Sequence, residues 1–352
     1  MSLYVQSIVT GAQLAAEIQA GSHIIQSGLV AVEGGTYEMG ATKGSETLRN
    51  SRPAHLVTVD SFSMGKTRVG PKEYEKWVSR LGSSFKFNTF LLKFDPATGY
   101  PSVVARFRVD WDERTDYRMR QVEYADRMVT EGILREFNLD GDIDEGDTKH
   151  FQVVKISDTL PGSQSSDDRI TRGAYYLGKP FEEPQLQVNW YASVVYALMH
   201  GARLATEGEW EFAVTERGQM KEAVRAEKFI ERKEDRIYRI QKGAGWPVSL
   251  KEVDESGYPK LGIEGMLNGR SGEWVMDRYG PYSKESQTNP LGPVLGDERV
   301  VRGNGGNLFA AHLPKFQQVE CRYGFSPEYF SEYKNHSLGF RLVVPQNSKK
   351  DD

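Results

Sequence analysis

Cys321 is the only cysteine in a chain of 352 residues, and no other single feature narrows its possible architectures as much. A lone thiol closes no intrachain disulfide and assembles no cysteine-based metal cluster. Packing and polar pairing must therefore hold the fold together. A compact unit of this length buries about 75% of its unfolded surface, enough for a large core without covalent staples. Length alone leaves room for one domain or two.

The charge balance excludes one class of partner. Lys and Arg number 45 against 49 Asp and Glu, a net charge of −4 with no basic block, so nucleic acid is not expected to be a partner. Six histidines (His23, His55, His150, His200, His312 and His336) are scattered without zinc-binding spacing and read as polar or core residues. The first thirty residues lack a charged leader followed by a long apolar run, and no later segment is apolar enough to span a membrane. The expectation is synthesis in the cytoplasm without a signal peptide, or a surface or periplasmic location if a leader has been removed.

Along the chain, residues 1–28 read as an N-terminal appendage. Leu14, Ala15, Ile18 and Ala20 suggest a short amphipathic helix capped by Thr10 and ended by Gly21, either docked on the domain or anchoring it to a partner. From Leu29, "LVAVEGGTYEMG" alternates as a strand into a Gly-Gly turn and out again, and "HLVTVDSFSMGKTRV" reads as a second strand pair. Pro71 opens a helix that puts Tyr74, Trp77, Val78 and Leu81 on one side. Trp190, Val194, Ala197 and Leu198 have helical spacing, and Thr206 with Glu209 forms a capping box for a further helix. Two stretches fit this text poorly, about 83–183 and 218–258; they include charged helices over 116–137 and 216–241. Residues 347–352 form a polar tail. In the acidic run, Asp140, Asp142 and Asp144 alternate as hard-cation ligands do, without the Gly and Glu that an EF-hand requires. A solvated acidic loop and a calcium loop are the two readings.

The segments "VEGGTYEMG", "PAHLVTVDSFSMGKTRV", "VNWYASVVYALMHGARLATEGEWEFAV", "GEWVMDRY", "NPLGP", "RVVRGN" and "SLGFRLV" occur in this order over residues 30–345. In that order they resemble the formylglycine-generating (sulfatase-modifying factor) domain family. The resemblance implies an α+β fold, a single C-type-lectin-related domain over 29–346 with little regular secondary structure and two insertions. The glycines Gly34, Gly35, Gly303, Gly305 and Gly306 suit sharp turns, and Trp190, Trp210 and Trp274 suit core anchors. Arg203, Glu209, Glu211, Asp277, Arg302 and Arg341 read as buried pairing partners.

Family members that oxidise a substrate cysteine are expected to use two thiolates on copper just after an Arg-Gly-Gly-Ser turn. Here the turn is Arg302-Gly303-Asn304-Gly305, and the positions three and eight beyond Gly305 are Leu308 and Leu313. One thiol does not make a two-thiolate copper site, so no copper is expected and no catalytic residue is assigned. The related sulfur–carbon bond-forming activity requires a three-histidine iron site, which the scattered histidines do not supply. A family calcium loop corresponds to "NGRSGEW", where Asn268, Gly269 and Glu273 are candidate ligands beside an unfavourable Arg270; a loop closed by internal hydrogen bonds is the alternative.

A framework without its reactive atoms reads, by analogy, as a binding module. Arg322, Tyr323, Phe325, Tyr329, Phe330 and Tyr333 cluster in "ECRYGFSPEYFSEYKNH" and have the composition of an interface, or else pack their own loop. The leading expectation is a non-catalytic, lectin-like protein that binds a protein or glycan within a larger assembly, such as a phage virion or receptor-binding component. An accessory protein of a bacterial surface or secretion machine is the second reading. An enzyme using His312 and Glu320 as an acid–base pair is the third.

Overall fold

The structure, a computed structural model, contains four helices among its described residues. It describes residues 4–25, 28–41, 50–81, 87–110, 150–157, 174–177, 185–215, 217–218, 262–263, 266, 271–303, 319–329 and 337–346. The helices are α1 (Gly11–Ile25), α2 (Pro71–Arg80), α3 (Trp190–Met199) and α4 (Glu207–Val214). In α2, Pro71 occupies the first turn and the Glu73 side chain accepts the Gly70 N–H at 2.8 Å. Asn189 caps α3 by accepting the Ala192 N–H at 2.8 Å. The Thr206–Glu209 capping box of α4 forms as its sequence predicts, with bonds of 2.9 and 3.1 Å.

The strands are short and fall into five sheets, so the architecture is α+β. Three of the sheets frame the region around α4. One orders 203–204, 342–345, 62–65 and 29–32; another orders 322–325, 299–303, 271–278 and 337–340; a third orders 287–288, 55–59 and 35–39. The text around the Gly-Gly pair is not a hairpin. Strand 29–32 pairs with 62–65, whereas 35–39 pairs with 55–59, so the chain changes sheets at the glycines. At Gly34 a Cβ would run into the Val59 carbonyl, so a side chain has no room where the chain crosses over.

Two apolar clusters fill the interior. One gathers α2, α3 and the strands facing them, with Tyr74, Trp77, Tyr196, Trp190 and Phe340 in ring contact or close packing. The other surrounds α4, with Trp210 and Phe212 against Val57, Val59, Phe62 and Met64. Trp190 and Trp274 are fully buried, and each indole N–H finds a backbone oxygen, on Val275 at 2.8 Å and Val188 at 2.9 Å. That satisfaction makes burial of these large rings favourable.

The N-terminal segment joins this framework. Strand Tyr4–Val9 pairs with 101–110, which continues through 87–94 to 151–157. Strand 4–9 and strands 87–94, 101–110 and 151–157 therefore build one sheet. Helix α1 runs past Gly21 to Ile25, so the expected stop at Gly21 is corrected. The glycine serves a close approach instead: a Cβ there would collide with the Met199 carbonyl at the end of α3. Arg106, almost fully buried, is held by Glu17 of α1 at 2.6 and 3.0 Å. The charged helices expected over 116–137 and 216–241 lie outside the described residues, apart from 217–218.

Glu17→Ala leaves the Arg106 guanidinium without its counter-charge at a nearly dry site. It is expected to destabilise the protein by about 1–3 kcal/mol in urea unfolding. Early proteolytic nicking within the first thirty residues is expected to accompany that loss.

Candidate functional site

Helix α4 enters the middle of the molecule and brings Glu207 and Glu211 to one side, four residues apart on adjacent turns. Arg302, from strand 299–303, reaches both. Its Nη1 donates to Glu207 Oε1 at 2.9 Å, and its Nη2 donates to Glu211 Oε2 and to the Val319 carbonyl, both at 2.7 Å. Arg322, on the neighbouring strand, grips the same glutamate through Nε and Nη2 at 2.7 and 2.8 Å. Its Nη1 donates to the Gly280 carbonyl at 2.6 Å and to the Asn50 carbonyl at 3.2 Å. The Tyr282 hydroxyl donates to Glu207 Oε1 at 3.0 Å, and Glu211 Oε1 accepts the Gly40 N–H at 2.9 Å. One cluster thus ties together α4, two strands and the loops at 40, 50 and 280.

The electrostatics follow the geometry. Burial raises the pKa of Glu207, but Arg322 and Arg302 outweigh it and hold the carboxyl below its usual range. For Arg302 burial favours the neutral form, and Glu211, Tyr282 and Glu207 reverse that effect. Arg322 stacks over Tyr282 and Tyr279 at 4.2 and 4.7 Å, and Arg302 lies 5.0 Å from the Trp210 ring. Desolvated charges are kept only because nearly every donor and acceptor is matched. Within this cluster, Arg302 Nε has no hydrogen-bond partner among the described residues.

Two smaller ion pairs flank this cluster. Glu273 receives Arg341 through two bonds of 2.7 Å and Trp210 Nε1 at 3.1 Å. Arg203 holds Glu209, the capping residue of α4. Asp277 differs from the other acidic residues of the cluster: its Oδ2 accepts the Glu207 N–H at 2.7 Å, and it forms no ion pair among the described residues. Burial, with Glu207 adding to it, pushes the Asp277 carboxyl up to about 8.

Of the residues proposed for an interface, Arg322 is buried in the cluster with Glu207. Tyr323 is half-buried, and its hydroxyl bonds the Cys321 thiol, itself buried beside Ala41. Phe325 and Tyr329, also half-buried, stack with centroids 4.4 Å apart and planes 14° apart. Phe330 and Tyr333 lie outside the described residues. So do Leu308, His312 and Leu313, and the candidate cation ligands Asn268, Gly269, Asp140, Asp142 and Asp144. The third cation candidate of the 268–273 loop, Glu273, is fully buried and occupied by Arg341, so a cation there would compete with a guanidinium. Among the described residues no group of three or more His, Cys, Asp or Glu side chains converges as a metal site, and no helix is long and apolar enough to cross a membrane. Glu320 is fully buried.

Sequence reasoning missed Glu207, on which two arginines and a tyrosine converge. Its place one residue after a helix cap reads locally as a dipole-favoured surface glutamate. Only the remote Arg302 and Arg322 reveal otherwise.

The family model described as "Sulfatase-modifying factor enzyme 1-like domain" matches residues 16–346. The bovine formylglycine-generating enzyme is 25% identical over 328 residues, covering 90% of this chain and 74% of its own. The mouse enzyme gives the same identity and coverage. Among solved structures, Treponema denticola variable protein 1 aligns over 90% of this chain and 95% of its own, with 16% identity and a TM-score of 0.40. CarF aligns over 91% and 98%, with 13% identity and a TM-score of 0.33.

Two outcomes follow from this geometry. Arg302→Met removes the guanidinium that Glu207 and Glu211 share, leaving Glu207 to Arg322 and Tyr282, and is expected to cost about 3–5 kcal/mol, read as a lower denaturant midpoint. For Asp277, the unfolded carboxyl loses its proton near pH 4, whereas the folded one keeps it to about 8. The folded state binds the extra proton in between, so this group's contribution to stability falls as pH rises across that window. Asp277→Asn is expected to remove that decline, seen as a growing stability advantage over the wild type from pH 5 to pH 8.

Proposed function

Because this chain belongs to the sulfatase-modifying factor enzyme 1-like domain family and yet has Cys321 as its only cysteine, we propose that it is a non-catalytic binding protein built on that scaffold. The carrying observation is the state of that thiol. Cys321 is 2% exposed, bonded to the Tyr323 hydroxyl, and lies beyond the turn at Arg302-Gly303. Copper chemistry on cysteine needs soft thiolate ligands at an open site. One enclosed thiol provides neither the second ligand nor access.

The framework around α4 supports the same reading. Its charged residues are engaged with one another, which suits a rigid support for loops rather than groups poised to exchange protons. The stacked Phe325–Tyr329 pair offers a flat, partly open contact surface of the kind that binding faces use. The ligand in this reading is a protein or a glycan, held within a larger assembly.

The test is incubation with copper, oxygen and a series of cysteine-containing peptides, followed by trapping of aldehyde with a hydrazide. The expected result is no aldehyde from the wild type and an identical trace from Cys321→Ser. Aldehyde formed by the wild type and lost in Cys321→Ser would overturn the reading.

A further inference from the structure

Four of the described buried arginines, Arg106, Arg302, Arg322 and Arg341, each hold a carboxylate. The fifth, Arg299, does not. It is 6% exposed and donates Nη1 to the Met276 carbonyl at 2.9 Å. Its guanidinium lies 3.7 Å from the Trp190 ring centroid and 6.0 Å from that of Phe94. Directly across the strand pair stands a second arginine, Arg278. Like charges in opposite positions of an antiparallel pair repel and destabilise it. Among the described residues neither guanidinium has a carboxylate within ion-pair distance.

The acidic groups nearby do not resolve this repulsion. Asp277 is turned to the Glu207 N–H, burial raises its pKa, and it favours the charged Arg299 only through space. Asp297, exposed on the preceding loop, acts on Arg278 only through space. Burial lowers the pKa of both arginines, and each lies near Tyr191. Arg278 is half-buried and rests on Gly99, whose φ of +68° closes the turn after strand 87–94. The framework therefore holds two positive charges side by side, one of them still open to solvent.

Across the other strand boundary, Phe325 stands opposite Arg299 and stacks on Tyr329. A planar ring pair one strand from Arg299 and two strands from Arg278 suits a ligand with an anionic group and a flat apolar side.

We propose that Arg278 and Arg299 form an oxyanion site that takes a carboxylate or sulfate carried on a sugar ring, with the Phe325–Tyr329 stack beside it. The bound oxyanion supplies the counter-charge that no described residue places within ion-pair distance, through charge-assisted bonds to guanidinium. The site does not depend on the non-catalytic reading, since an enzyme could hold a substrate in the same way.

Calorimetric titration of the full chain with glucuronate, sodium sulfate and glucose tests it. Sulfate stabilises folded proteins without a site, so saturable heat and the comparison with Arg278→Gln carry the reading. The expected result is one saturable site for glucuronate or sulfate, none for glucose, and affinity at least tenfold weaker in Arg278→Gln with an unchanged circular dichroism spectrum. Tighter binding of glucuronate places the anion on a sugar, as proposed. Tighter binding of sulfate keeps the oxyanion site and replaces its ligand by a free or ester-borne anion. No saturable binding by either anion, or equal affinity in Arg278→Gln, would overturn the site.

Discussion

Glu207 is where the structure converges. One buried carboxylate accepts two guanidiniums and a phenol, and those three side chains come from strands 299–303 and 322–325 and the loop at 282. In a fold made of short strands and long connections, apolar contact alone leaves loop positions underdetermined. Directional charge-assisted bonds fix them. The cost is that none of the partners can be removed singly without leaving a desolvated charge. Since the backbone carbonyls of Asn50, Gly280 and Val319 are drawn into the same cluster, irregular chain is held as firmly as the sheets.

This gives a physical reason why a family framework can hold its shape independently of the chemistry of its loops. The residues that set the shape (Glu207, Glu211, Arg302, Arg322, Glu273 and Arg341) are engaged with one another. Among the described residues Arg278 and Arg299 stand without a carboxylate in ion-pair distance, two strands and one strand away from the partly buried Phe325–Tyr329 pair.

Much of this was legible in the sequence because the signals are local. The Thr206–Glu209 box and the buried face of Tyr74, Trp77 and Val78 follow from spacing alone. Three of the expected pairing partners, Arg203, Arg302 and Arg341, do hold carboxylates, since charges embedded in apolar text have few other ways to be buried. What remained hidden depends on remote partners. Arg322 sits among aromatic residues and reads as an interface residue until Glu207, over a hundred positions earlier, is placed against it. Asp277 resembles an ion-pair member but accepts a helix N–H instead. Gly21 looks like a helix terminator, and only the approach of Met199 shows why it lies inside α1. The two strands flanking Gly34 and Gly35 look like a hairpin because sequence reports alternation, not which sheet each strand joins.

The central claim is that the scaffold persists while its metal chemistry does not, and copper(I) competition tests it most directly. The full-length protein is titrated against a coloured copper(I) chelator under reducing, anaerobic conditions. The account predicts that the metal stays with the chelator and that Cys321→Ser behaves as the wild type does. Stoichiometric withdrawal of copper(I) by the wild type, abolished in Cys321→Ser, would contradict it.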